Sequence, residues 1–548
     1  MTNPREPIEE QPCNSTSCSK SLWQTYHLLI FLALALTAGR ITVVTSREGD
    51  TAFLSANDRS RWATVACLVE RGTYVIDEQI AIANPIHRNR RPWNSIDKVR
   101  HLGADGSQHY YSSKPPLLAT MVAGVYWLVH QITGMTLTQY PAYVPRLILL
   151  LFNLPLLAIF FYATIATTHR LLKSDWGRQL AAASTCFGTM VLPFAISLNN
   201  HLLACTSTAV VMWIYMRDHD QAESKTRVIP LKYALLAGFA AAMGAANELP
   251  ALSMTALWGL IFLIKDRSTV LPFSLGCLLV AMAFFGTNWI AHQSWRPPYA
   301  HRGNGELLAT LTSKSKSPDE HLQKEVTRLL RELGEGPQEG TAITIQKSDE
   351  TNRWLVRNRQ IQYSLLLSNL TNGPTWELLR WDDWYEYPGT YWKEGKRQGV
   401  DRGEASKSTY LMNMTIGHHG LFSITPVWAL LPVGWILGLA VGRGSERWFH
   451  IAVLTASTVC FLFYLNRPLI DRNYGGVSAC FRWLLWFAPL WLVTIAPVFD
   501  RLGRLKLGRV TALLLLAFSL FSVATALETP WQSPWIYRFW IFLGWIEV

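Results

Sequence analysis

The stretch "VPRLILLLFNLPLLAIFFYAT", residues 144–164, decides the fold class. It is mostly apolar and long enough to cross a bilayer as one helix. Half of the 548 residues are hydrophobic, and further runs of this kind recur along the chain. The sequence therefore predicts an all-α polytopic membrane protein with about eleven transmembrane helices, over residues 28–44, 144–164, 180–198, 201–215, 233–246, 251–264, 271–290, 422–439, 451–465, 484–498 and 510–526.

The formal charge of +12 would also suit a nucleic-acid binder, but the Lys and Arg residues lie mostly in short loops between apolar runs. Short cytoplasmic loops of membrane proteins carry such an excess, so no nucleic-acid partner is expected. The Lys and Arg residues of these loops all fall on the cytoplasmic side under two conditions. The amino terminus must be cytoplasmic, and residues 117–132, which His130 and Gln131 interrupt, must form a helix at the outer interface. The inner loops then hold Arg170, Lys173, Arg178, Arg217, Lys225, Arg227, Lys232, Lys265, Arg267, Arg443, Arg447, Arg501, Arg504, Lys506 and Arg509.

This topology places two long segments outside, residues 45–143 and 291–420, and loops of that length are seldom mere connectors. The second contains "KSPDEHLQKEVTRLLREL", in which Leu322, Val326 and Leu330 recur at helical spacing. We therefore predict four parts: a cytoplasmic tail over residues 1–27, a transmembrane catalytic module over residues 28–290 that includes the first outer loop, a small extracytoplasmic cap over residues 291–420, and a second transmembrane module over residues 421–548.

The first outer loop contains "LSANDRSRWATVACLVERGTYVID", which has the pattern of a capped helix. Ser55 or Asn57 is a candidate N-cap, and Gly72 is a stop signal. An apolar stripe that begins at Trp62 predicts an interfacial helix lying on the membrane surface. Asp58 falls in the first turn, where the helix dipole favours a carboxylate. From this fragment, Asp58 is either a helix cap or a catalytic acid–base group.

Lys114 stands in "SSKPP", directly before the apolar residues 117–132. The two prolines prevent a helix from continuing through the lysine and start a new helix after it. Arg146 opens the next span from the outer side, where a cation usually has a partner. Two cations near the outer interface suit a lipid phosphate. A single lysine there is also typical of a side chain that anchors an interfacial helix.

Further polar side chains cluster in three turns on the predicted outer face, "SLNNHLLA", "AANELPA" and "NRPLIDRNYGGVSACFRW". Each turn alone is also typical of an ordinary connection or interface anchor. All of them fall on the same face while the inner loops are plain basic connectors, so they indicate a reaction site at the outer interface. The candidate substrate-binding residues are His201, Glu248, Arg472, Tyr474 and Arg482.

In this order, the motifs resemble those of the GT-C superfamily of integral-membrane glycosyltransferases, in particular its protein mannosyltransferase and aminoarabinose transferase branch. The family's Asp-Glu-x-Arg-Tyr motif in the first outer loop is matched by Asp58, Arg61 and Trp62. Its Lys-Pro or Pro-Pro-Leu motif is matched by "KPPL", which begins at Lys114, and its arginine at the start of the following span by Arg146. The similarity is strongest over residues 50–170.

The resemblance implies a GT-C-like fold and the transfer, with inversion, of a hexosyl or pentosyl unit from a polyprenyl-phosphate-sugar donor. It implies that Asp58 is the general base that deprotonates an acceptor hydroxyl. It also implies that Lys114, Arg146 and Arg61 bind the donor phosphate, whose developing charge they would stabilise. The acceptor would be a protein, a lipid or a glycan.

The sequence departs from the family at its acidic positions. The second acidic residue of the first motif is Arg59 here, and the glutamate that precedes the lysine in the aminoarabinose branch is Ser113. The acid near the second outer turn is replaced by Asn199 and Asn200. The eight cysteines are scattered and form no CxxC metal motif. We therefore expect a metal-independent enzyme without a cofactor.

Two alternatives stay open. A multi-pass transporter or flippase of lipid-linked sugars would need charged or broken helices at the bilayer midplane, where few ionisable groups lie. A polymerase or ligase of surface polysaccharide would use the same class of donor. In each case we expect a protein embedded in membrane lipids, by default a bacterial inner membrane, with a cytoplasmic amino terminus and an extracytoplasmic active site.

Overall fold

The computed structural model describes residues 15–217, 229–313, 315–337, 342–348, 352–358, 361–370, 373–393 and 395–546. The chain forms two compact units. We call the first the helical unit, drawn from Met1–Val44, Leu149–Val280 and Gly403–Val548, and the second the mixed unit, drawn from Thr45–Ile148 and Ala281–Arg402. The first predicted outer segment and most of the second therefore belong to one unit.

The chain is mostly helical, with short strands confined to the mixed unit. In chain order the helices and strands are α1 Ser15–Val43, α2 Ala56–Glu70, α3 Asp77–Ala81, β1 Lys98–Leu102, β2 Gln108–Ser112, α4 Pro116–Thr133, α5 Tyr143–Leu171, α6 Asp175–Phe187, α7 Val191–Phe194, α8 Asn200–Met216, α9 Leu231–Asn247, α10 Ala251–Lys265, α11 Val270–His292, β3 Leu307–Thr312, α12 Glu320–Glu332, β4 Thr344–Lys347, β5 Arg353–Asn358, β6 Ile361–Leu370, β7 Gly373–Arg380, α13 Lys407–Thr415, α14 Leu421–Ile424, α15 Leu431–Val441, α16 Ser445–Leu465, α17 Ala488–Leu502, α18 Lys506–Ala526 and α19 Trp535–Phe542.

Within the described ranges, seven helical stretches are long and apolar enough to cross a membrane. At a rise of 1.5 Å per residue, even the shortest, with 18 residues, reaches about 27 Å, close to the hydrocarbon thickness of about 30 Å. The chain is therefore an integral membrane protein. The seven stretches are Ser21–Val43, Pro116–Thr133, Tyr143–Leu171, Arg267–His292, Ser445–Leu465, Arg482–Leu502 and Lys506–Ala526.

Several predicted spans are shorter or interrupted in the structure. Residues 180–198 form α6 and the single turn α7, because Gly188 ends α6 and Pro193 cannot donate a backbone hydrogen bond. Residues 422–439 are divided among α14, a 3₁₀ turn and α15. Helices α8, α9 and α10 have 17, 17 and 15 residues, at or below the shortest usual span. The total of about eleven spans stays a prediction.

Helix α4 differs from the surface helix predicted over residues 117–132. It qualifies as a span by length and composition, because His130 and Gln131 lie in its last turn and do not interrupt it. The predicted orientation of the chain depends on this helix and stays a prediction. Two of the cations assigned to inner loops, Lys225 and Arg227, lie outside the described residues.

Helix α2 is enclosed by protein and does not lie on a surface. Every residue from Arg61 to Cys67 is buried, and Trp62 is fully buried. The helix packs against α4. The hydroxyl groups of Ser60 on α2 and Ser112 on β2 are hydrogen-bonded at 3.0 Å. The apolar stripe that predicted an interfacial helix therefore faces the core of the mixed unit.

The predicted cap contains a sheet that was not predicted from the sequence, so the fold is mostly helical but not all-α. Its antiparallel strands lie in the order β3-β7-β6-β5-β4. The predicted helix of the cap and its apolar face are confirmed, because α12 buries three residues in the core beside the sheet, Leu322, Val326 and Leu330. The dipeptide Asn372-Gly373, whose glycine is the first residue of β7, is the sequence signal that could have indicated a hairpin.

Candidate active site

Asp58 lies in a capping box at the start of α2. Its two carboxylate oxygens accept the backbone N–H groups of Leu54 and Ser55, both at 2.9 Å. The Ser55 hydroxyl accepts the Asp58 N–H at 3.1 Å. Asp58 is fully buried, and this burial raises its pKa from the ordinary 3.8 to about 6. The structure thus confirms Ser55 as the N-cap and gives Asp58 the capping role, whether or not it also moves a proton.

Lys114 is held where β2 ends and α4 begins. Pro115 is the N-cap of α4 and Pro116 its first residue, which confirms that the prolines start a helix directly after the lysine. The Lys114 backbone N–H donates to the Ser112 hydroxyl at 3.2 Å. Since Ser112 also bonds to Ser60, the loop that carries Lys114 is tied to α2.

Asp97 provides the counter-charge of Lys114 and was not predicted. Its Oδ1 lies 3.2 Å from the Lys114 Nζ, with the two side chains 11% and 24% exposed. The Asp97 N–H donates to the Ser95 hydroxyl at 3.0 Å, and that hydroxyl donates to the Ala56 carbonyl of α2 at 2.6 Å. A lysine at the edge of a membrane segment needs a partner. Asp97 supplies that partner here, whereas the sequence indicated only a lipid phosphate or an anchoring role for Lys114.

A small cavity in the mixed unit, here named the lysine cavity, brings Lys114 and Arg61 together. Its empty space is about 250 Å³ with the adjoining open solvent included, and water-sized molecules can occupy about 10 Å³ of it. Arg61 is buried, and its guanidinium donates to the Asn57 side chain one turn earlier on α2. The cavity is lined by Arg61, Thr64, Tyr74, Tyr111, Ser112, Lys114, Pro115, Pro116, Ala119 and His292.

Two of the three predicted phosphate ligands therefore share one cavity. The third, Arg146, is half-buried and places its guanidinium carbon 5.8 Å from the centre of the Tyr143 ring. In the described part of the chain, neither Arg146 nor Asp58 is among the residues that line the lysine cavity.

A second group of predicted residues converges inside the helical unit. Arg482 Nη1 donates to His201 Nε2 at 2.6 Å, so the proton of a neutral imidazole lies on Nδ1. His201 Nδ1 contacts the Glu248 carboxylate, which also accepts Asn200 Nδ2 at 2.7 Å. His201, Glu248 and Arg482 are each at most 9% exposed. Their charges balance inside the protein, and the network joins all three of the predicted outer turns.

Tyr474 and Arg472 lie close by in sequence but bind other groups. The Tyr474 hydroxyl donates to Glu404 Oε1 at 2.7 Å, and burial raises the pKa of this tyrosine far above its ordinary value. Arg472 Nη1 donates to a backbone carbonyl at 2.9 Å. The carbonyl of Gly475 accepts Arg482 Nε at 2.7 Å, which links the Tyr474 turn to the Arg482 network. Glu404 was not predicted as part of this region.

Metal-ligating residue types do not cluster in the ranges the structure describes. No group of three or more His, Cys, Asp or Glu side chains there could hold a metal ion. The cysteines described there, Cys67, Cys186, Cys205, Cys277, Cys460 and Cys480, are free thiols. Metal independence rests on the residue types of the motifs and stays a prediction.

No protein-family model and no curated protein matches the chain. Among solved structures, an oligosaccharyltransferase of Archaeoglobus fulgidus in complex with Zn and sulfate is similar at a TM-score of 0.45 and 11% identity, over 94% of this chain and 55% of that chain. The present chain thus spans about half the length of that enzyme. The protein O-mannosyltransferase Pmt1-Pmt2 complex of S. cerevisiae, bound to the sugar donor, is similar at a TM-score of 0.42 and 11% identity, over 95% and 92% of the two chains. At TM-scores below 0.5, these likenesses carry no weight for the function of this chain.

Proposed function

We propose that this protein is a membrane glycosyltransferase that moves a sugar from a polyprenyl-phosphate donor to an acceptor hydroxyl at the extracytoplasmic face, with inversion. The observation that carries the proposal is the lysine cavity. There Lys114 and Arg61, from two separate sequence motifs, lie on one small cavity at the start of an apolar helix. Cations in this position suit a phosphate whose lipid tail lies in the bilayer.

In this proposal the donor phosphate binds between Lys114 and Arg61. Asp97 holds the ammonium of Lys114, and Asn57 holds the guanidinium of Arg61. Both cationic groups therefore have a fixed position before the sugar donor binds. As the bond between the anomeric carbon and the phosphate oxygen breaks, its electron pair passes to the phosphate. Two preorganised cations stabilise that developing charge more than they stabilise the bound donor.

Asp58 is the proposed general base. A pKa of about 6 is close to neutral pH, which suits a group that must accept a proton and later release it. Each carboxylate oxygen has two lone pairs, so the two backbone bonds leave acceptor capacity. The acceptor hydroxyl gives its proton to Asp58, while its oxygen attacks the anomeric carbon opposite the departing phosphate. Because Asp58 is fully buried, the segment over residues 54–58 must open for the acceptor to reach it.

The buried network of Arg482, His201 and Glu248 has a supporting part in this proposal. Its opposite charges already compensate one another, so we assign it to holding the three turns of the helical unit in place. Tyr474 and Arg472 extend this support through Glu404 and the neighbouring backbone.

Equilibrium binding of polyprenyl phosphate, with polyprenol as the uncharged control lipid, tests phosphate recognition directly. Native mass spectrometry of the purified protein in nanodiscs should show a preference for the phosphate lipid. Lys114→Ala removes a charge-assisted contact and should weaken this binding by about 10-fold or more. Lys98→Ala is the matched control, because Lys98 begins β1, the strand that pairs with β2 just before Lys114, and donates to Asn94. Equal binding of polyprenyl phosphate by wild type and Lys114→Ala would remove the basis of the proposal.

A further inference from the structure

The mixed unit contains a second and larger cavity, with about 830 Å³ of empty space when the adjoining open solvent is included. Water-sized molecules can occupy about 370 Å³ of it, which lies within the usual range of small-molecule sites, about 300–1,000 Å³. We name it the histidine cavity. Three of its lining residues, Tyr74, Tyr111 and His292, also line the lysine cavity, so the two cavities share a wall. The polar and aromatic lining residues are Thr73, Tyr74, Asp105, His109, Tyr111, His292 and Gln293.

A hydrogen-bond relay fixes the tautomer of His292. His101 Nδ1 lies 2.9 Å from the Leu102 carbonyl, which can only accept, so Nδ1 carries the proton. Burial lowers the pKa of His101 to about 4, so its ring is neutral and its Nε2 is an acceptor. That Nε2 lies 3.0 Å from His292 Nδ1, which must therefore donate. The neutral ring of His292 is left with a lone pair on Nε2.

This lone pair has no hydrogen-bond partner in the portion of the chain that the structure describes. His292 is only 5% exposed, so water does not replace a partner freely. The ring is also held in place, because its partner His101 is stacked between Tyr111 at 4.2 Å and Trp384 at 3.9 Å. A buried and rigidly held acceptor without a partner is matched by a ligand that brings an O–H group.

The charges around the two cavities differ. The lysine cavity is lined by two cationic side chains, Lys114 and Arg61. In the histidine cavity, His109 donates to Asp105 at 2.9 Å and to Asp77 at 2.6 Å. The hydrogen bond to Asp105 is the main cause that raises the pKa of His109. Of the two carboxylates, Asp105 lines the described part of the cavity and Asp77 does not. The charged side chains on the described lining, Asp105 and His109, therefore pair with each other and offer no excess of cations for a second phosphate, which suits a neutral ligand.

The walls also suit a ligand with both apolar and polar faces. Tyr74 and Tyr111 supply aromatic rings, against which the apolar face of a sugar ring packs well. Gln293, next to His292, has a φ of +54°, a conformation that side-chain-bearing residues rarely adopt. Strained backbone of this kind clusters at binding and catalytic sites.

We propose that the histidine cavity is the acceptor subsite, that its ligand is a carbohydrate, and that His292 Nε2 accepts a hydrogen bond from one of its hydroxyl groups. The inference rests on the proposed function, because only that function makes the bound carbohydrate an acceptor. It selects a glycan among the three classes of acceptor.

Titration of the full-length protein in nanodiscs with maltose, cellobiose and lactose, followed by saturation-transfer NMR, tests the subsite without any donor. At least one disaccharide should bind. In His292→Asn, the amide N–H stands where Nδ1–H stood and can keep the bond to His101, but the Nε2 acceptor is lost. Its affinity should fall by about 5- to 10-fold. In His292→Gln, the amide reaches the Nε2 position, and the loss should be smaller.

His130→Asn is the matched control. His130 lies in the last turn of α4 and donates to the Met135 carbonyl, so this substitution should leave the affinity unchanged. Unchanged affinity in a folded His292→Asn protein would overturn the role of His292. If no disaccharide binds while polyprenyl phosphate still binds in a Lys114-dependent way, the carbohydrate subsite is wrong and the proposed function stands. If disaccharides bind through His292 but polyprenyl phosphate does not bind, the subsite stands and the proposed function fails.

Discussion

Asp58→Asn separates the capping role of this side chain from its proposed catalytic role. In the wild type, both carboxylate oxygens accept backbone N–H groups. The asparagine side chain keeps one oxygen that can accept one of these N–H groups. Its NH₂ group replaces the other oxygen and cannot accept the second backbone N–H. A buried donor without a partner costs about 1–3 kcal/mol, so the variant should fold with stability reduced by that order.

The pH dependence of Asp58 has opposite signs for stability and for activity. Because burial raises its pKa from 3.8 to about 6, the folded protein favours the protonated carboxyl. The stability that this preference contributes is fully present below pH 3.8 and is lost as the pH rises through about 6, a change of roughly 3 kcal/mol. A general base works in its ionised form, so the transfer rate should rise over the same interval.

Denaturant unfolding in detergent measures the first effect. From about pH 4.5 to about pH 7.5, the stability of the wild type relative to Asp58→Asn should fall by roughly 2 kcal/mol. Transfer rates over the same range measure the second effect, and the wild type should lose activity on acidification with an apparent pKa near 6. A folded Asp58→Asn protein with the wild-type rate and pH profile would refute the general-base assignment. A stability difference between wild type and Asp58→Asn that does not change with pH would refute the raised pKa of the buried Asp58 carboxyl.

Three further substitutions test other contacts. Lys114→Ala should raise the donor KM in steady-state kinetics but lower stability by only about 1 kcal/mol, because the pair with Asp97 is partly exposed; an unchanged KM would contradict this. Glu248→Gln removes the charge that balances Arg482 and should cost about 3–5 kcal/mol of unfolding free energy with little change in donor KM, and wild-type stability would argue against the network. Tyr474→Phe loses a buried hydrogen bond to a carboxylate and should cost about 1.5–3 kcal/mol in the same unfolding assay, where no loss would count against that bond.

Signals that act over a few residues were readable in the sequence. Ser55 was one of two predicted N-cap candidates, with Asn57, because such side chains satisfy a backbone N–H of their own helix, and the structure selects Ser55. Gly72 follows α2 with a φ of +69°, as its place after the apolar run indicated. Pro115 and Pro116 start α4 directly after Lys114, because the fixed φ of proline and its missing N–H favour the first turn of a helix. Each of these features depends on chain neighbours alone.

The partner of Lys114 could not be read in this way. Asp97 reaches the lysine because β1 and β2 pair with Lys98 opposite Ser112, and this register brings the ends of the two strands together. No strand was predicted there, and nothing in the sequence distinguishes Asp97 from the other acids of the first outer loop. The bond from His292 to His101 likewise depends on the way distant segments of the mixed unit pack.

Periodicity also does not reveal what covers an apolar face. The stripe on α2 was assigned to the membrane surface, but the structure covers it with protein. The helix over residues 117–132 was assigned to the outer interface, but its length and apolar composition also fit a membrane span. Convergence of the turns that carry His201, Glu248 and Arg482 was indicated by their common predicted face, although the hydrogen bonds that join them were not.

The most direct test of glycosyl transfer uses the purified protein, labelled sugars on a panel of polyprenyl-phosphate donors, and candidate acceptors, with and without a chelator. We expect labelled acceptor with an inverted linkage, release of polyprenyl phosphate in equal amount, resistance to the chelator, and a marked loss of transfer in Lys114→Ala. Protein that neither transfers nor hydrolyses any donor of the panel, but moves lipid-linked sugars across vesicle membranes, would contradict the proposed activity.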